Sequence, residues 1–454
     1  MKKRTLLPPL IVAVLLGASA TLAWNKRETA FREETRFTAR RLSLLEQENT
    51  RLRTALEEHI RAARESRNVQ LRQEIEERTA RLRGLEFKKP VTYETLSRDA
   101  LKGKLVSLFD KEYTPEQFMA MQQGYIAMGL IPEGTNLREV ILNLLDEQIA
   151  AFYDQHASEL FMFENSSLDS AQDRMILSHE LTHALQDQHF DLSASPIETK
   201  TNDDMALAAF SLIEGDATVL MQEFLQGEIS LKGAGQLLKA AFTQRYEQLS
   251  TAPAFLRESL LFRYQVGATF CQALMNHGTG SYGEVSKAYT RLPSSTSQIL
   301  HPEKYLAGEE PLAITWQDTE LNGRKATFEN VVGEFGIGIL FKESGFPRNE
   351  AERMATGWRG DRYLYWHDAG ALVWKSAWET PAKAREVAAA LETMLAKRYN
   401  ASFESDSGNG GATPRTAVGT SRGLAVIQPS PTEVLLVNVA GKSSLPALLR
   451  QFGP

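Results

Sequence analysis

The segment from Asn25 to Arg83 contains neither glycine nor proline and is dense in glutamate and arginine. Glycine and proline interrupt helices more strongly than other residues, so a segment of this length without them predicts one long helix. Its leucines repeat at the a and d positions of one heptad frame, which slips near residues 66–70 and then resumes. The leucines before the slip are Leu42, Leu45, Leu52 and Leu56, with Asn49 at the intervening a position.

This heptad pattern predicts a coiled-coil stalk over residues 25–86, which would make the protein a coiled-coil homo-oligomer. A buried asparagine at an a position commonly fixes the register and the number of strands. Several other a and d positions are polar, so a single solvated helix is the alternative interpretation.

The N-terminus has the pattern of an export signal. Three basic residues at positions 2–4 precede an apolar run at 6–24, close to the ~20 residues that span a bilayer as a helix. Small residues at 18–20 offer a cleavage site, so residues 1–24 are predicted to be a signal anchor or a cleaved signal peptide. Either way most of the chain is exported. The anchor would make it a single-pass inner-membrane protein of the bacterial cell envelope, with its bulk outside the cytoplasm.

Net charge and cysteine content narrow the possible classes of protein. The net charge of -6 gives no reason to expect a nucleic-acid partner. Cys271 is the only cysteine, so a framework of internal disulfides is excluded.

The rest of the chain divides by pattern into three regions. Residues 87–150 have helical periodicity and are predicted to be a helical lobe or a prosegment-like region. Residues 151–310 combine two short strands, at 151–153 and 160–163, with helices and are predicted to form the core. Residues 311–454 are predicted to be a mixed α/β region. The fold class predicted for the whole is α+β, with a mainly helical core and a small sheet behind the anchor and stalk.

The stretch SHELTHALQDQHF holds three of the eight histidines in eleven positions. On a helix, His179 and His183 lie one turn apart on one face, while the leucines at 177, 181 and 185 lie on the opposite face. Two imidazoles at this spacing can bind one Zn²⁺, and Glu180 can reach a water on the metal without binding the metal itself.

Two residues compete to be the third metal ligand. His189 has the offset of the metzincin pattern, and Met221 is a candidate for its Met-turn, but Gln186 stands where that pattern needs a glycine. Glu214 is the alternative that we favour, because a carboxylate within an apolar helix is costly to bury unless it is paired or binds metal. Two neighbours of Glu214 agree with this. Gly215 would let another backbone, that of the zinc helix, approach closely, and Asp216 could orient a ligand imidazole.

HELTH followed by a helix containing EGDA resembles the zincin metallopeptidases of the gluzincin type, over roughly residues 150–225. FRYQVGATF and SSTSQILHPEKYL further resemble segments of uncharacterised bacterial HExxH proteins. The resemblance implies a zincin-like core that binds one Zn²⁺ per chain through two histidines and a glutamate. It also implies a protein or peptide substrate, lying antiparallel to an edge strand before the zinc helix. Residues 159–163 resemble that strand, although they could equally be an interior one.

The predicted activity is that of a membrane-tethered, zinc-dependent endopeptidase. Glu180 acts as the general base toward a zinc-activated water and then passes the proton to the leaving amine. The oxyanion needs a further donor, for which Tyr264, His301 and Tyr305 are the candidates. The alternative is a non-catalytic envelope scaffold that uses the coiled coil and a structural zinc site, which a fourth ligand such as His189 would close.

Overall fold

The structure, a computed structural model, describes residues 9–148, 151–164, 166–194, 196, 199–226, 247–405 and 414–453. The chain forms two compact units, Met1–Arg72 and Gln73–Pro454. One helix, α1 (Pro9–Arg83), accounts for the described part of the first unit and supplies its last turns to the second. Ile75, Thr79 and Arg83, in the last turns of α1, are buried in the second unit. The first unit thus ends at Arg72, before residue 86 where the stalk is predicted to end.

The first unit is helical throughout its described residues, as its composition predicts. The heptad leucines are more than half exposed, at 58% for Leu42, 55% for Leu45, 63% for Leu52 and 60% for Leu56. Their pairing in a coiled coil stays a prediction. Among the residues that the structure describes, no helix has both the length and the apolar character needed to cross a membrane. The basic residues at 2–4 of the predicted signal lie outside the described residues.

The second unit is mixed α+β, as predicted. The helices up to the HExxH motif and the segment that contains Glu214 are α2 (Arg98–Glu112), α3 (Pro115–Met128), α4 (Leu137–Gln148), α5 (Ala171–Phe190) and α6 (Asp203–Gln226). The helices that follow are α7 (Glu247–Thr251), α8 (Ala254–His277), α9 (Gly283–Ala288), α10 (Thr296–Leu300) and α11 (Pro302–Leu306). The C-terminal helices are α12 (Gly333–Glu343), α13 (Arg348–Ala355), α14 (Pro381–Tyr399) and α15 (Leu445–Phe452).

A small three-stranded sheet precedes α5. Its strands are β1 (Thr92–Leu96), β2 (Ala151–Asp154) and β3 (Glu159–Phe163), in the order β1-β3-β2. The predicted strands at 151–153 and 160–163 are confirmed and form an antiparallel hairpin. β1 pairs in parallel with β3 along its whole length. Residues 87–150 thus supply a strand to the sheet beside the core, which argues against a detachable prosegment.

A seven-stranded antiparallel sheet dominates the C-terminal region, with the order β6-β7-β8-β12-β11-β10-β9. Its strands are β6 (Phe328–Asn330), β7 (Trp358–Trp366), β8 (Ala371–Trp378), β9 (Ser402–Ser405), β10 (Arg415–Val418), β11 (Gly423–Ile427) and β12 (Glu433–Val439). The short strands β4 (Glu320–Leu321) and β5 (Arg324–Lys325) form a separate ribbon. Apolar side chains are buried on both faces of the large sheet, because α14 covers one face and α15 the other.

The regions predicted as separate domains share one hydrophobic core. Phe118 and Tyr125, from the region 87–150, belong to the same buried cluster as Trp358, Trp374 and Leu391 of the C-terminal region. Residues 87–150, 151–310 and 311–454 accordingly lie in a single compact unit. The predicted divisions at 150 and 310 are changes of local pattern rather than domain boundaries.

Candidate metal centre

Helix α5 presents the HExxH histidines on one face, because its apolar residues lie on the opposite face and are buried in the core. The helix begins after Ser170, whose hydroxyl accepts a hydrogen bond from the backbone N–H of Asp173. Leu177, Leu181 and Leu185 are fully buried. The predicted amphipathic arrangement is confirmed, and it turns the two histidines of the motif toward α6.

Three side chains converge between α5 and α6. The Nε2 atoms of His179 and His183 lie 3.1 Å apart. The Glu214 Oε2 atom lies 3.2 Å from the first and 3.5 Å from the second. The possible ligand atoms of these three residues all lie within 4.8 Å of one another. Among the residues that the structure describes, no fourth histidine, cysteine or acid joins the group. The structure thus brings together the three ligands that the sequence favours.

The electrostatic interactions among His179, His183 and Glu214 favour a positive charge between these side chains. Burial opposes ionisation of Glu214, but hydrogen bonds and charge from His179 and His183 outweigh it and lower the pKa of Glu214. Burial also disfavours a charged His183, yet Glu214 raises the pKa of that imidazole to about 9. The three groups favour a cation between them, whether a proton or a metal ion supplies the charge.

The orientation of His183 is fixed by Gln186, one turn further along α5. The Gln186 amide nitrogen donates to the carbonyl of Ile213 at 3.0 Å and to Asp216 Oδ2 at 2.9 Å. Its oxygen therefore faces His183 Nδ1, at 2.9 Å, and must accept a hydrogen bond from the N–H at that position. With the proton on Nδ1, the neutral ring turns the lone pair of Nε2 toward His179 and Glu214. A metal ligand needs this tautomer.

Glu180 lies beside the three converging groups, and its carboxylate takes a hydrogen-bond partner outside that group. Its Oε2 atom accepts a hydrogen bond of 2.9 Å from the backbone N–H of Tyr153 in β2. Burial raises the pKa of Glu180, although charges on His179 and His183 act in the opposite direction. A carboxylate with a raised pKa next to possible metal ligands is suited to accept and return a proton.

His189 does not join the three candidate ligands. Helix α5 continues through Gln186 to Phe190, so no turn brings His189 back toward the motif. Its Nε2 atom instead lies 2.8 Å from the carbonyl oxygen of Glu86. Met221 lies within helix α6 rather than in a turn, so it cannot form a Met-turn. The metzincin-like alternative, with His189 as the third ligand, is therefore wrong. It requires the chain to leave the helix after His183, and α5 does not end there.

Of the three candidate oxyanion donors, the structure places Tyr264 at the site. Tyr264 lies on α8, and its ring centroid is 6.2 Å from that of His179. His301 instead bonds Glu334, with 2.7 Å between Nε2 and Oε1. Tyr305 donates its hydroxyl to the carbonyl oxygen of Arg291 at 2.8 Å. The contacts of His301 and Tyr305 do not bring them to His179.

Two predicted neighbours take different partners from those expected. Gly215 packs against α8 rather than the zinc helix, since a Cβ there would lie 2.3 Å from the Gly267 backbone. Asp216 reaches His183 only through Gln186. Residues 159–163, which resemble an edge strand, form the interior strand β3, because β1 joins the sheet from an earlier part of the chain.

Three functional candidates were missed by sequence reasoning. Gln186 lies at i+3 from His183, and this spacing alone could have identified it as a neighbour on the same helix face. The backbone of Tyr153 and the side chain of Arg83 come from distant segments, and no local pattern marks them.

Comparisons with known proteins do not identify the candidate metal centre. Residues 320–449 match the family model of a domain of unknown function, DUF8575, which lies outside the helices that carry the motif. No curated protein matches the chain. A crystal structure described as a putative hydrolase with a novel fold, from Chloroflexus aurantiacus, is 19% identical. The similarity covers 55% of this chain and 90% of that one, with a TM-score of 0.37.

The donor set fits zinc. Two imidazole nitrogens and one carboxylate oxygen are the ligands of an open, catalytic zinc site, which keeps one position for water or substrate. The Gln186 contact supplies the tautomer that such a site requires. Within the described part of the chain, His179 Nδ1 is buried without a hydrogen-bond partner, so only His183 is oriented by the protein in this way.

Proposed function

We propose that the protein is a zinc-dependent endopeptidase that hydrolyses peptide bonds of a protein or peptide substrate. The observation that carries the proposal is the convergence of His179, His183 and Glu214, with Glu180 beside them and not among the ligands. A structural zinc site has four protein ligands and needs no general base. This arrangement favours catalysis over a purely structural metal.

His179, His183 and Glu214 would hold one Zn²⁺. When bound, the ion supplies Lewis acidity, which polarises an acyl carbonyl and makes water nucleophilic near neutral pH. Glu180 takes a proton from the attacking water and delivers it to the leaving amine. Its raised pKa suits both steps, because a carboxyl group that is too acidic would not hold the proton between them.

Two further elements support hydrolysis of an extended chain. Tyr264, near His179, is the candidate donor to the oxyanion. β2 is an edge strand of the small sheet, and its Tyr153 N–H points at Glu180. A substrate that adds to this edge as an extra strand would lie next to the general base.

Export and oligomerisation remain part of the proposal. The basic residues at 2–4 and the apolar run after them support an anchor in the inner membrane, with the bulk of the chain on the outside. The exposed leucines of α1 support a coiled-coil homo-oligomer. They also favour the second candidate function, an envelope scaffold that uses its metal site structurally.

Zinc content and peptide hydrolysis, measured together on the full chain, test the proposal. We expect about one zinc per wild-type chain. Glu180→Gln should keep the metal and lose about 10²–10⁴-fold in kcat. A matched control is Glu223→Gln on α6, which removes a carboxylate bonded to Tyr282 and should keep both properties. Zinc without hydrolysis in the wild type would favour the scaffold instead.

A further inference from the structure

The last turn of α1 reaches the interior of the second unit. The Arg83 side chain is 1% exposed and pairs with Asp216, which is fully buried on α6. Arg83 Nη2 donates to Asp216 Oδ2 at 3.0 Å, and Arg83 Nε lies 2.9 Å from Oδ1. Arg78, earlier on α1, donates to the carbonyl oxygen of Phe224 at 2.5 Å and lies over its ring. Two arginines therefore fasten the end of α1 to the helix that carries Glu214.

Asp216 and the carbonyl oxygen of Ile213 together determine which end of the Gln186 amide faces His183. The amide nitrogen of Gln186 donates to Asp216 Oδ2 at 2.9 Å and to the Ile213 oxygen at 3.0 Å, so the amide oxygen faces Nδ1 of His183. The reverse orientation would place the amide N–H against Nδ1. It would then force the ring proton onto Nε2, the atom that faces Glu214.

We propose that Arg83, Asp216 and Gln186 are positioning residues of the metal centre. This inference rests on the proposed function. Arg83, together with the Tyr289 hydroxyl, holds the Asp216 carboxylate in place. Asp216 acts with the Ile213 carbonyl to orient Gln186, and Gln186 keeps His183 with its Nε2 lone pair toward the metal. The end of the long N-terminal helix is thereby part of the metal centre, although it touches none of the ligands.

A role in stability alone does not account for this arrangement. Burying an ion pair costs desolvation, and well-packed apolar residues of similar volume often replace such a pair without loss of stability. An apolar pair could fill the space of Arg83 and Asp216, but it could not accept a hydrogen bond from the Gln186 amide and so could not help to orient that amide. The hydrogen-bonded partners of ligand histidines typically change metal affinity 10–100-fold when they are removed.

The first test compares Gln186→Leu with Gln188→Leu in the full chain. Gln188 lies two residues further along α5, and its amide bonds the backbone of Lys88 and Lys89 without touching a histidine. The zinc Kd is measured by competition with a chelator, and the absorption spectrum of the Co²⁺ form reports the ligand geometry. We expect the zinc Kd of Gln186→Leu to rise about 10–100-fold, with a changed Co²⁺ spectrum, and that of Gln188→Leu to stay within about 3-fold.

A second variant separates positioning from folding. The double variant Arg83→Met/Asp216→Leu replaces the ion pair with apolar side chains, and its thermal unfolding reports whether the fold survives. We expect it to fold and to bind zinc more weakly than the wild type, with a smaller loss than in Gln186→Leu because the Ile213 carbonyl still accepts from Gln186. If both variants fold and bind zinc as tightly as the wild type, the inference is overturned.

The outcomes distinguish this inference from the proposed function. If the wild-type protein binds zinc but cleaves no peptide, the proposed endopeptidase activity is overturned. The comparison of zinc affinities then still tests the role of Gln186. Active wild type with unchanged affinity in Gln186→Leu overturns the positioning role alone. A wild type that binds no zinc overturns both.

Discussion

Gly215 on α6 and Gly267 on α8 face each other where the two helices cross. A Cβ on Gly215 would lie 2.3 Å from the carbonyl carbon and oxygen of Gly267, and one on Gly267 would lie 2.2 Å from the carbonyl oxygen of Ser211. Contacts this close with backbone atoms cannot be relieved by moving a side chain. The crossing holds Glu214 and Tyr264, which lie on these two helices, at a fixed separation.

Gly215→Ala should therefore destabilise the protein. We expect the free energy of unfolding to fall by about 1–3 kcal/mol, because an added methyl group forces the two backbones apart. Gly103→Ala in α2 is the matched control. No heavy atom lies within 4 Å of the position that its new methyl group would take, so alanine should stabilise that helix by up to about 1 kcal/mol. Thermal unfolding of the two variants measures the difference, and equal stability would contradict the close crossing.

Glu214→Ala should abolish tight zinc binding, whereas His189→Ala should leave it unchanged. The first variant removes one of the three converging candidate ligands, and the second removes only a bond to the Glu86 carbonyl. Metal content after dialysis against a weak chelator measures both. Loss of zinc in His189→Ala with retention in Glu214→Ala would reverse the assignment of the third ligand.

Tyr264→Phe should lower kcat by about 10²–10³-fold and leave KM nearly unchanged, as expected for a donor to the oxyanion. Tyr305→Phe is the control, because its hydroxyl already donates to the Arg291 carbonyl. We expect it to keep kcat and to lose about 1 kcal/mol of stability. If the two variants have the same kcat as the wild type, the donor lies elsewhere.

Asp204, at the start of α6, should make stability depend on pH. Burial raises its pKa to about 7, although hydrogen bonds from Thr296 act against the rise. The unfolded group has a pKa of about 4, so its protonation stabilises the fold fully below about pH 4, and this contribution is lost as the pH rises to about 7. Asp204→Asn keeps an acceptor oxygen but cannot ionise.

The Tm of Asp204→Asn, measured relative to wild type, should therefore increase from pH 5 to pH 8. The change corresponds to roughly 1–4 kcal/mol of unfolding free energy. A difference in Tm that is flat over this range would show that Asp204 ionises in the folded protein as it does in the unfolded chain.

The heptad leucines of α1 should mediate self-association. Leu45→Arg together with Leu52→Arg places charges at two of the heptad core positions, and we expect it to shift the protein to monomers in sedimentation equilibrium. Leu44→Arg is the control, since Leu44 is equally exposed, at 59%, but lies outside the a and d positions. A wild type that is already monomeric would support the single solvated helix.

The parts of the molecule that the sequence predicts well are those that depend on local spacing. His179 and His183 lie one helical turn apart, and the apolar stripe behind them determines which way they face. Glu214 is recognisable because its carboxylate interrupts an apolar helix.

The features that sequence reasoning missed depend on contacts between distant segments. β1 pairs with β3 across more than sixty residues, which makes β3 an interior strand. The core that Phe118 shares with Trp374 removes the expected domain boundaries. The partner of Gly215 proved to be α8, because residues 214 and 215 point about 100° apart around the helix and so face different neighbours.

The Arg83–Asp216 pair also imposes an order on folding. Its two members are separated by 133 residues along the chain. At ~5–20 residues per second, the ribosome takes about 7–27 seconds to progress from one to the other. Through that interval Arg83 stays hydrated. His179 and His183 are also synthesised before Glu214, the third candidate ligand. The end of α1 is thus fixed in place only after Asp216 on α6 has been synthesised.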